Sequence, residues 1–192
     1  MIGISDITLG ILAGGRATRL GGCDKAWLER DGVPQVLRMS RRFAAEVSSV
    51  LVSANRLDAR YPLLGLTVVA DRIQDVGPLG GLEALAAACS TSWLLTVPVD
   101  LVGVNECLLP TLIASAGDNG AFAQDDDGLQ PLVALWRIET LRRDLTEAMR
   151  AGEHATQDMQ ARMNMSCVPF TGVRFGNLNT PADLVAAGIA TP

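Results

Sequence analysis

The sequence predicts an α/β fold, a three-layer sandwich in which a mostly parallel sheet with one antiparallel strand lies between two layers of helices. Three observations predict it. Short apolar runs alternate with helix-period stretches along the chain, the order that builds a parallel sheet through crossover helices. The runs are apolar at nearly every position rather than at every second one, as strands buried on both faces are. Glycine and aspartate fall directly after those runs, as Gly14-Gly15, Asp71 and Pro98-Val99-Asp100, and the carboxyl ends of parallel strands are where such folds bind ligands. The 192 residues show no internal repeat, low-complexity tract or linker and read as one Rossmann-like domain, 1–192. Their 48% hydrophobic content suffices for a buried core and is too high for a disordered chain.

The elements follow in order. Residues 7–13 form a short apolar run closed by Gly14-Gly15, which reads as a buried strand. From 34 to 47, Val36, Leu37, Met39, Phe43, Ala44 and Val47 recur at helical spacing, and Pro34 suits the first turn of that helix. Residues 49–54 and 66–70 read as strands, and 81–89 is an Ala- and Leu-rich helix. Residues 93–97 form the next strand, closed by Pro98 and Asp100. Asn105 can cap a helix running to about 116. Residues 120–123 and 131–136 read as two strands around the polar turn Asp125-Asp126-Asp127-Gly128, which makes the second the antiparallel member. An amphipathic helix over 138–150 and a late strand at 166–169 follow. Thr180 caps a short final helix with Pro181 at its first position.

Several function classes drop out. No apolar run approaches the roughly 20 residues of a membrane helix, and the first residues lack a basic stretch and a cleavage site. Cys23, Cys89, Cys107 and Cys167 make no C-x-x-C pair, so free thiols in a reducing cytoplasm are expected. The single histidine, His154, sits in a polar stretch and reads as a surface residue. That leaves neither a zinc site nor a Ser-His-Asp arrangement anything to build on. A net charge of −5 with 4% aromatic residues argues against a general nucleic-acid binder.

The 19 glycines are unevenly spread, with many at 14–22 and 77–81. The first stretch, from Leu12 to Lys25, lacks both the Walker Gly-Lys-Ser/Thr and G-x-G-x-x-G. It is still suited to cradle an anion. Glycine lets backbone N–H groups approach phosphate oxygens, and Arg16, Arg19 and Lys25 add positive charge. Asp71 and Asp100 end two other strands, expected at the same edge. A carboxylate beside a phosphate cradle is the arrangement that holds Mg²⁺, which takes one or two carboxylates plus substrate phosphates. Gly77-Pro78-Leu79-Gly80-Gly81 opens a helix between them, with small residues that suit close packing against a planar base.

The segment 12–25 resembles the L-A-G-G-x-x-x-R-[LM]-G-G-x-D-K signature of the molybdenum cofactor guanylyltransferase family, and the likeness covers nearly the whole chain. Gly32-Val33-Pro34, Ser53-Ala54-Asn55-Arg56, Asp71, 77–81, Pro98-Val99-Asp100, Gln130-Pro131-Leu132 and Asn177-Leu178-Asn179-Thr180-Pro181 follow the family's motifs in order. The resemblance implies the nucleotide-diphospho-sugar transferase type of fold and transfer of GMP from GTP to the terminal phosphate of molybdopterin, with release of pyrophosphate and with Mg²⁺ as cofactor. It implies nucleotide contacts from Leu12, Ala13, Gly14, Gly15, Ser53, Asp71 and Gly77. Lys25 and Arg19 would act on phosphates, Asp100 would ligate Mg²⁺, and Asn177 and Asn179 would lie on the pterin side. Other cofactor-assembly proteins, recipient molybdoenzymes and their chaperones are the implied protein partners.

Three positions depart from the family. Val99 replaces Cys, Gly80 replaces Ala and leaves more room beside the ligand, and Ser53 replaces an Asn with a shorter, less generous donor. The Gly14-Gly15 pair and Gly77 favour guanine over cytosine, since cytidylyl relatives tend to show L-A-A-G. A CTP-dependent molybdopterin enzyme, a sugar-phosphate nucleotidyltransferase and a non-catalytic GTP-binding adaptor are the alternatives.

Overall fold

The computed structural model describes residues 2–14, 23–56, 58–73, 76–153 and 155–189. Strand β1 (Ile7–Leu12) lies inside a seven-stranded sheet and pairs in parallel with β4 (Ser49–Ser53) on one side and the central strand β6 (Trp93–Pro98) on the other. Beyond β4 comes β5 (Thr67–Val69), also parallel. Beyond β6 the order continues through β8 (Gly128–Arg137), β7 (Gly120–Asp125) and β9 (Ser166–Pro169). β8 runs antiparallel to both of its neighbours, while β7 and β9 are parallel to each other. The sheet therefore holds the one antiparallel strand that the sequence leads one to expect.

Side-chain alternation sends the core to two faces. On one face Ile7, Leu9 and Ile11 meet Val36, Met39 and Phe43 of α1 (Gln35–Phe43) and Leu108 and Leu112 of α4 (Leu108–Ser115). On the other, Leu94 and Trp136 meet Leu82 and Leu85 of α3 (Pro78–Ala88) and Leu141 and Leu145 of α5 (Ile138–Ala151). A third, smaller cluster joins Leu28 to Leu178, Leu184 and Ile189. It docks the C-terminal helix α7 (Pro181–Ala186) on the segment just after Lys25. No helix among the described residues is long and apolar enough to cross a membrane.

Several boundaries differ from the sequence reading, each for a local reason. α4 begins at Leu108, because the Asn105 carboxamide accepts from the Cys107 amide at 3.1 Å and caps a turn ahead of the helix. α3 begins three residues early, at Pro78, where a fixed φ suits a first turn. Asp31 and Gly32, with φ of 54° and 71°, close a two-residue turn between the short strands β2 (Glu29–Arg30) and β3 (Val33–Pro34). Asp-Gly is a favoured pair for such a turn. Helices α2 (Arg60–Leu63) and α6 (Thr156–Arg162) are too short for a periodic pattern to reveal.

Besides its backbone ladder, one buried hydroxyl ties the antiparallel strand to β6. A register shift opposite Phe122/Ala123 accommodates Pro131, which has no N–H for the ladder. Thr96 Oγ1 donates to the Leu132 carbonyl at 2.8 Å, and Trp136 Nε1 donates to the same hydroxyl at 2.8 Å. Replacing Thr96→Val keeps the shape but strands the indole N–H and the carbonyl. A loss of about 1–3 kcal/mol is expected. Urea unfolding measures it, and an unchanged midpoint would show that the hydroxyl is not what holds the strand.

Candidate active site

The ends of β1, β4, β5 and β6 reach one edge in step. Ala13 N donates to Ser53 O at 2.8 Å, Val99 N to Leu12 O at 3.0 Å, and Ala54 N to Val69 O at 3.1 Å. The loops that follow therefore leave side by side, and two groups of side chains gather on them.

The first group lies at the ends of β1, β4 and β5. Ser53, only 1% exposed, donates through its hydroxyl to Asp71 Oδ1 at 3.0 Å. Asn55 Nδ2 donates to the Gly14 carbonyl at 3.2 Å. Helix α3 closes on the same edge through glycines. A β-carbon at Gly81 would lie 2.7 Å from Ser53 Oγ, and one at Gly80 would lie 2.8 Å from the Ile73 carbonyl and 3.2 Å from Asp71 Oδ2. This corrects the expectation that Gly80 leaves room beside a ligand, because protein atoms already fill that space. Gly77 is different. Its φ of 62° suits glycine, and among the described residues nothing lies within 4 Å of where its β-carbon would be. The Ser53 hydroxyl, expected as a direct nucleotide contact, is buried and engaged by Asp71.

The second group is charged and forms between β1 and β6. Lys25 Nζ donates to Asp100 Oδ2 at 2.7 Å and to Asn179 Oδ1 at 2.7 Å. The Lys25 and Asp100 side chains are 18% and 17% exposed. Lys25 is aimed by a short 3₁₀ turn, Lys25–Trp27, whose N-terminus is capped by Asp24 through a 3.0 Å bond from the Ala26 amide. Asn179 is aimed from the far end of the chain. Leu178 N donates to the Asp100 carbonyl at 3.1 Å, and Asn177 forms a backbone bridge with Leu101. The Thr180 side chain accepts from the Asp183 amide at 3.2 Å, and Asp183 Oδ2 accepts from the Asn179 and Thr180 amides at 3.0 and 2.7 Å. The Thr180 side chain and those two amides hold the Asp183 carboxyl below the usual carboxylate range.

Asp125 is the residue that the sequence reading misses. Its setting reads as a polar turn, yet it is 5% exposed. Its carboxylate accepts from Phe175 N at 2.8 Å, from Asp127 N at 3.0 Å and from Gln130 Nε2 at 3.1 Å. The Phe175 carbonyl in turn accepts from Val102 N and Gly103 N at 3.1 and 2.7 Å. Asp125 thus clamps the segment that leads to Asn177 and Asn179 onto the β7–β8 hairpin, and the Phe175 carbonyl ties the same segment to the loop after Asp100. Burial works to raise the Asp125 carboxyl, but bonds from the Phe175 amide, Gln130 and the Asp127 and Gly128 amides outweigh it and hold it below the usual range.

Leu12, Ala13, Gly14, Lys25, Ser53, Asp71, Gly77, Asp100, Asn177 and Asn179 all lie on or beside this edge. Gly15, Arg16, Arg19 and His154 lie outside the described residues. The four cysteines are free. Among the described residues no three His, Cys, Asp or Glu side chains are grouped to hold a metal ion. Two carboxylates, Asp71 and Asp100, stand at this edge, and one or two carboxylates are what an ion that completes its shell with phosphate oxygens and water requires. A cleft of about 560 Å³ lined by Trp93, Asn119, Arg137 and Glu139 opens at the opposite end of the sheet, where β6 starts and β8 ends, away from this chemistry.

The chain matches the model of the MobA-like NTP transferase domain over residues 9–165. It is 35% identical over 182 residues to proteins named molybdenum cofactor guanylyltransferase from Yersinia pseudotuberculosis serotype O:1b (strain IP 31758) and Yersinia pestis (strain Pestoides F), covering 93% of this chain and 93% of each relative. Among solved structures, the molybdopterin-guanine dinucleotide biosynthesis protein A of Archaeoglobus fulgidus superposes with a TM-score of 0.71 at 18% identity, over 94% of this chain and 96% of that one. The 2-C-methyl-D-erythritol 4-phosphate cytidylyltransferase of Thermus thermophilus does so with 0.71 at 18%, over 97% and 98%. These two likenesses show the shared fold.

The Asp125 clamp carries a pH signature. A carboxyl whose folded pKa is depressed stabilises fully above its unfolded value, and that stability is lost as pH falls through the folded value. Asp125→Asn is expected to cost about 1–3 kcal/mol at neutral pH. The gap between variant and parent should narrow as pH drops below about 4. Urea unfolding at pH 7 and pH 3 checks this, and a gap that stays constant with pH would contradict it.

Proposed function

The chain belongs to the MobA-like NTP transferase family, and on that premise we propose that it transfers GMP from GTP to the terminal phosphate of molybdopterin. An oxygen of the pterin phosphate attacks the α-phosphorus of GTP. The bond to the β-phosphate breaks, pyrophosphate leaves, and the molybdopterin guanine dinucleotide remains. The observation that carries the reading is the Lys25 ammonium held between Asp100 and Asn179 at the strand edge.

An ammonium has three N–H donors. Two are engaged by Asp100 and Asn179, so the third is available to a phosphate oxygen without breaking either bond. Lys25 then stabilises charge that grows on the departing pyrophosphate, a role in which positioning and electrostatics do most of the work. Arg19 is proposed to share it. The incoming phosphate is already ionised, so no general base is required, in keeping with a chain that has one histidine. Asp100 is the residue proposed to hold Mg²⁺, whose charge would offset the repulsion between two anionic substrates.

The choice of guanine rests on the other group. A carboxylate is acceptor-only, and guanine offers two adjacent donors, N1–H and the 2-amino group. Cytosine offers one amino donor beside an acceptor nitrogen. Asp71 at the edge of the Gly14 loop therefore suits guanine better than cytosine. Leu12, Ala13 and Gly14 contribute backbone groups to the same nucleotide, and Asn177 and Asn179 face the acceptor side.

A panel of nucleoside triphosphates, assayed for pyrophosphate release with and without molybdopterin, tests the reading. Release is expected with GTP and only when the pterin is present. Asp100→Asn and Lys25→Met should each lower the rate by roughly 10²–10³. Release with CTP in place of GTP would indicate a cytidylyltransferase, and GTP binding without release would indicate an adaptor.

A further inference from the structure

We infer that Ser53 is a positioning residue for base selection, acting through Asp71 rather than on the nucleotide. The inference rests on the guanylyltransferase reading and adds to it a residue that sets selectivity. Ser53 ends β4 and is 1% exposed, so no ligand can reach its hydroxyl directly. A buried hydroxyl needs a partner, and this one has Asp71 Oδ1 at 3.0 Å. The hydroxyl fits there because Gly81 has no side chain, since a β-carbon at that position would lie 2.7 Å from Ser53 Oγ.

The bond decides which way the carboxylate faces. The terminal torsion of an aspartate is broad, so an untethered Asp71 would sample many orientations. With Oδ1 tied to Ser53, Oδ2 is the oxygen nearest the β-carbon positions of Gly80, at 3.2 Å, and Gly14, at 3.8 Å. The Gly80 side is filled by the Ile73 carbonyl, whereas Gly14 adds no side chain on the other. The carboxylate is thereby fixed in one orientation, with Oδ2 turned toward the Gly14 loop and Oδ1 keeping a further lone pair, ready for a base edge that presents two adjacent N–H donors. A freely turning carboxylate would accept from a single amino group almost as well as from a paired edge. Tethering is what separates guanine from cytosine.

Equilibrium binding of GTP, ITP and CTP, measured by titration calorimetry on the full chain, tests this with Ser53→Ala, Asp71→Asn and the double variant. Ser53→Ala should weaken GTP about tenfold and leave CTP within about twofold. The preference for GTP over ITP, which lacks the 2-amino group, should shrink with it. In the Asp71→Asn background the same change should add less than about twofold, because the effect runs through Asp71. Ser53→Cys, which keeps the volume with a weak donor, should lose selectivity as Ser53→Ala does, and it serves if the alanine variant fails to fold. An unchanged GTP to CTP ratio in Ser53→Ala, beside a collapsed ratio in Asp71→Asn, would overturn the role of Ser53 and leave the guanine reading intact. Additive losses in the double variant would also overturn it. A parent protein with no preference for GTP would instead overturn the reading on which the inference rests.

Discussion

The ammonium of Lys25, shared between Asp100 and Asn179, is the contact on which the site depends. It joins three parts of the chain that are far apart in sequence: the loop after β1, the end of the central strand β6, and the C-terminal segment. Both charges are largely removed from water. Deleting either partner of such a pair leaves the other charge poorly compensated, which costs far more than the pair itself contributes. The surrounding fold therefore has to hold the geometry. Asp24 aims the lysine, the bridge between Leu101 and Asn177 aims the amide, and Gln35 Nε2 fixes the strand end by donating to the Leu101 carbonyl at 2.7 Å. The cluster of Leu28, Leu178, Leu184 and Ile189 supplies the apolar backing.

Strand β1 divides the edge into two chemically different halves. Toward β4 and β5 the groups are a buried hydroxyl, an amide and one carboxylate, with glycines where side chains would obstruct. Toward β6 and the C-terminal segment they form a charged network. A nucleotide has the same division, an aromatic base with directional donors at one end and a polyanion at the other. A parallel sheet favours such a site because its central loops leave from neighbouring strands at the same edge. The antiparallel β8 extends the sheet on the β6 side, and the Asp125 hairpin at its start carries the clamp on the C-terminal segment.

Much of this is legible in the sequence, for physical reasons. Short apolar runs bounded by turn residues announce buried strands, so the ends of β1, β4, β5 and β6, and with them Gly14, Asp71 and Asp100, fall where strand counting puts them. Thr180-Pro181 marks the last helix, because a cap and a first-turn proline are local signals. Contacts between distant residues are not legible. Asp125 is separated from Phe175 by 50 residues and Lys25 from Asp100 by 75. An aspartate within Asp-Asp-Asp-Gly looks like a solvated turn until the chain returns to cover it. Asn105 has the chemistry of a helix cap and caps a turn instead, since the side chain alone does not say which turn continues. Gly80 and Gly81 read from sequence as space for a ligand. Glycine permits close approach of anything, and here it is a helix packed on strand ends. Asp31-Gly32 does carry a hairpin signal, but its flanking strands of two residues each leave no pattern to notice.

The most direct measurement follows the α-phosphate. GTP labelled at that position and incubated with molybdopterin and Mg²⁺ should place its label on a pterin dinucleotide in an amount equal to the pyrophosphate released, while label at the γ-position should leave with the pyrophosphate. Label that remains on free GTP or GMP, or that transfers from CTP instead, would contradict the assignment of this strand edge as a guanylyl-transfer site.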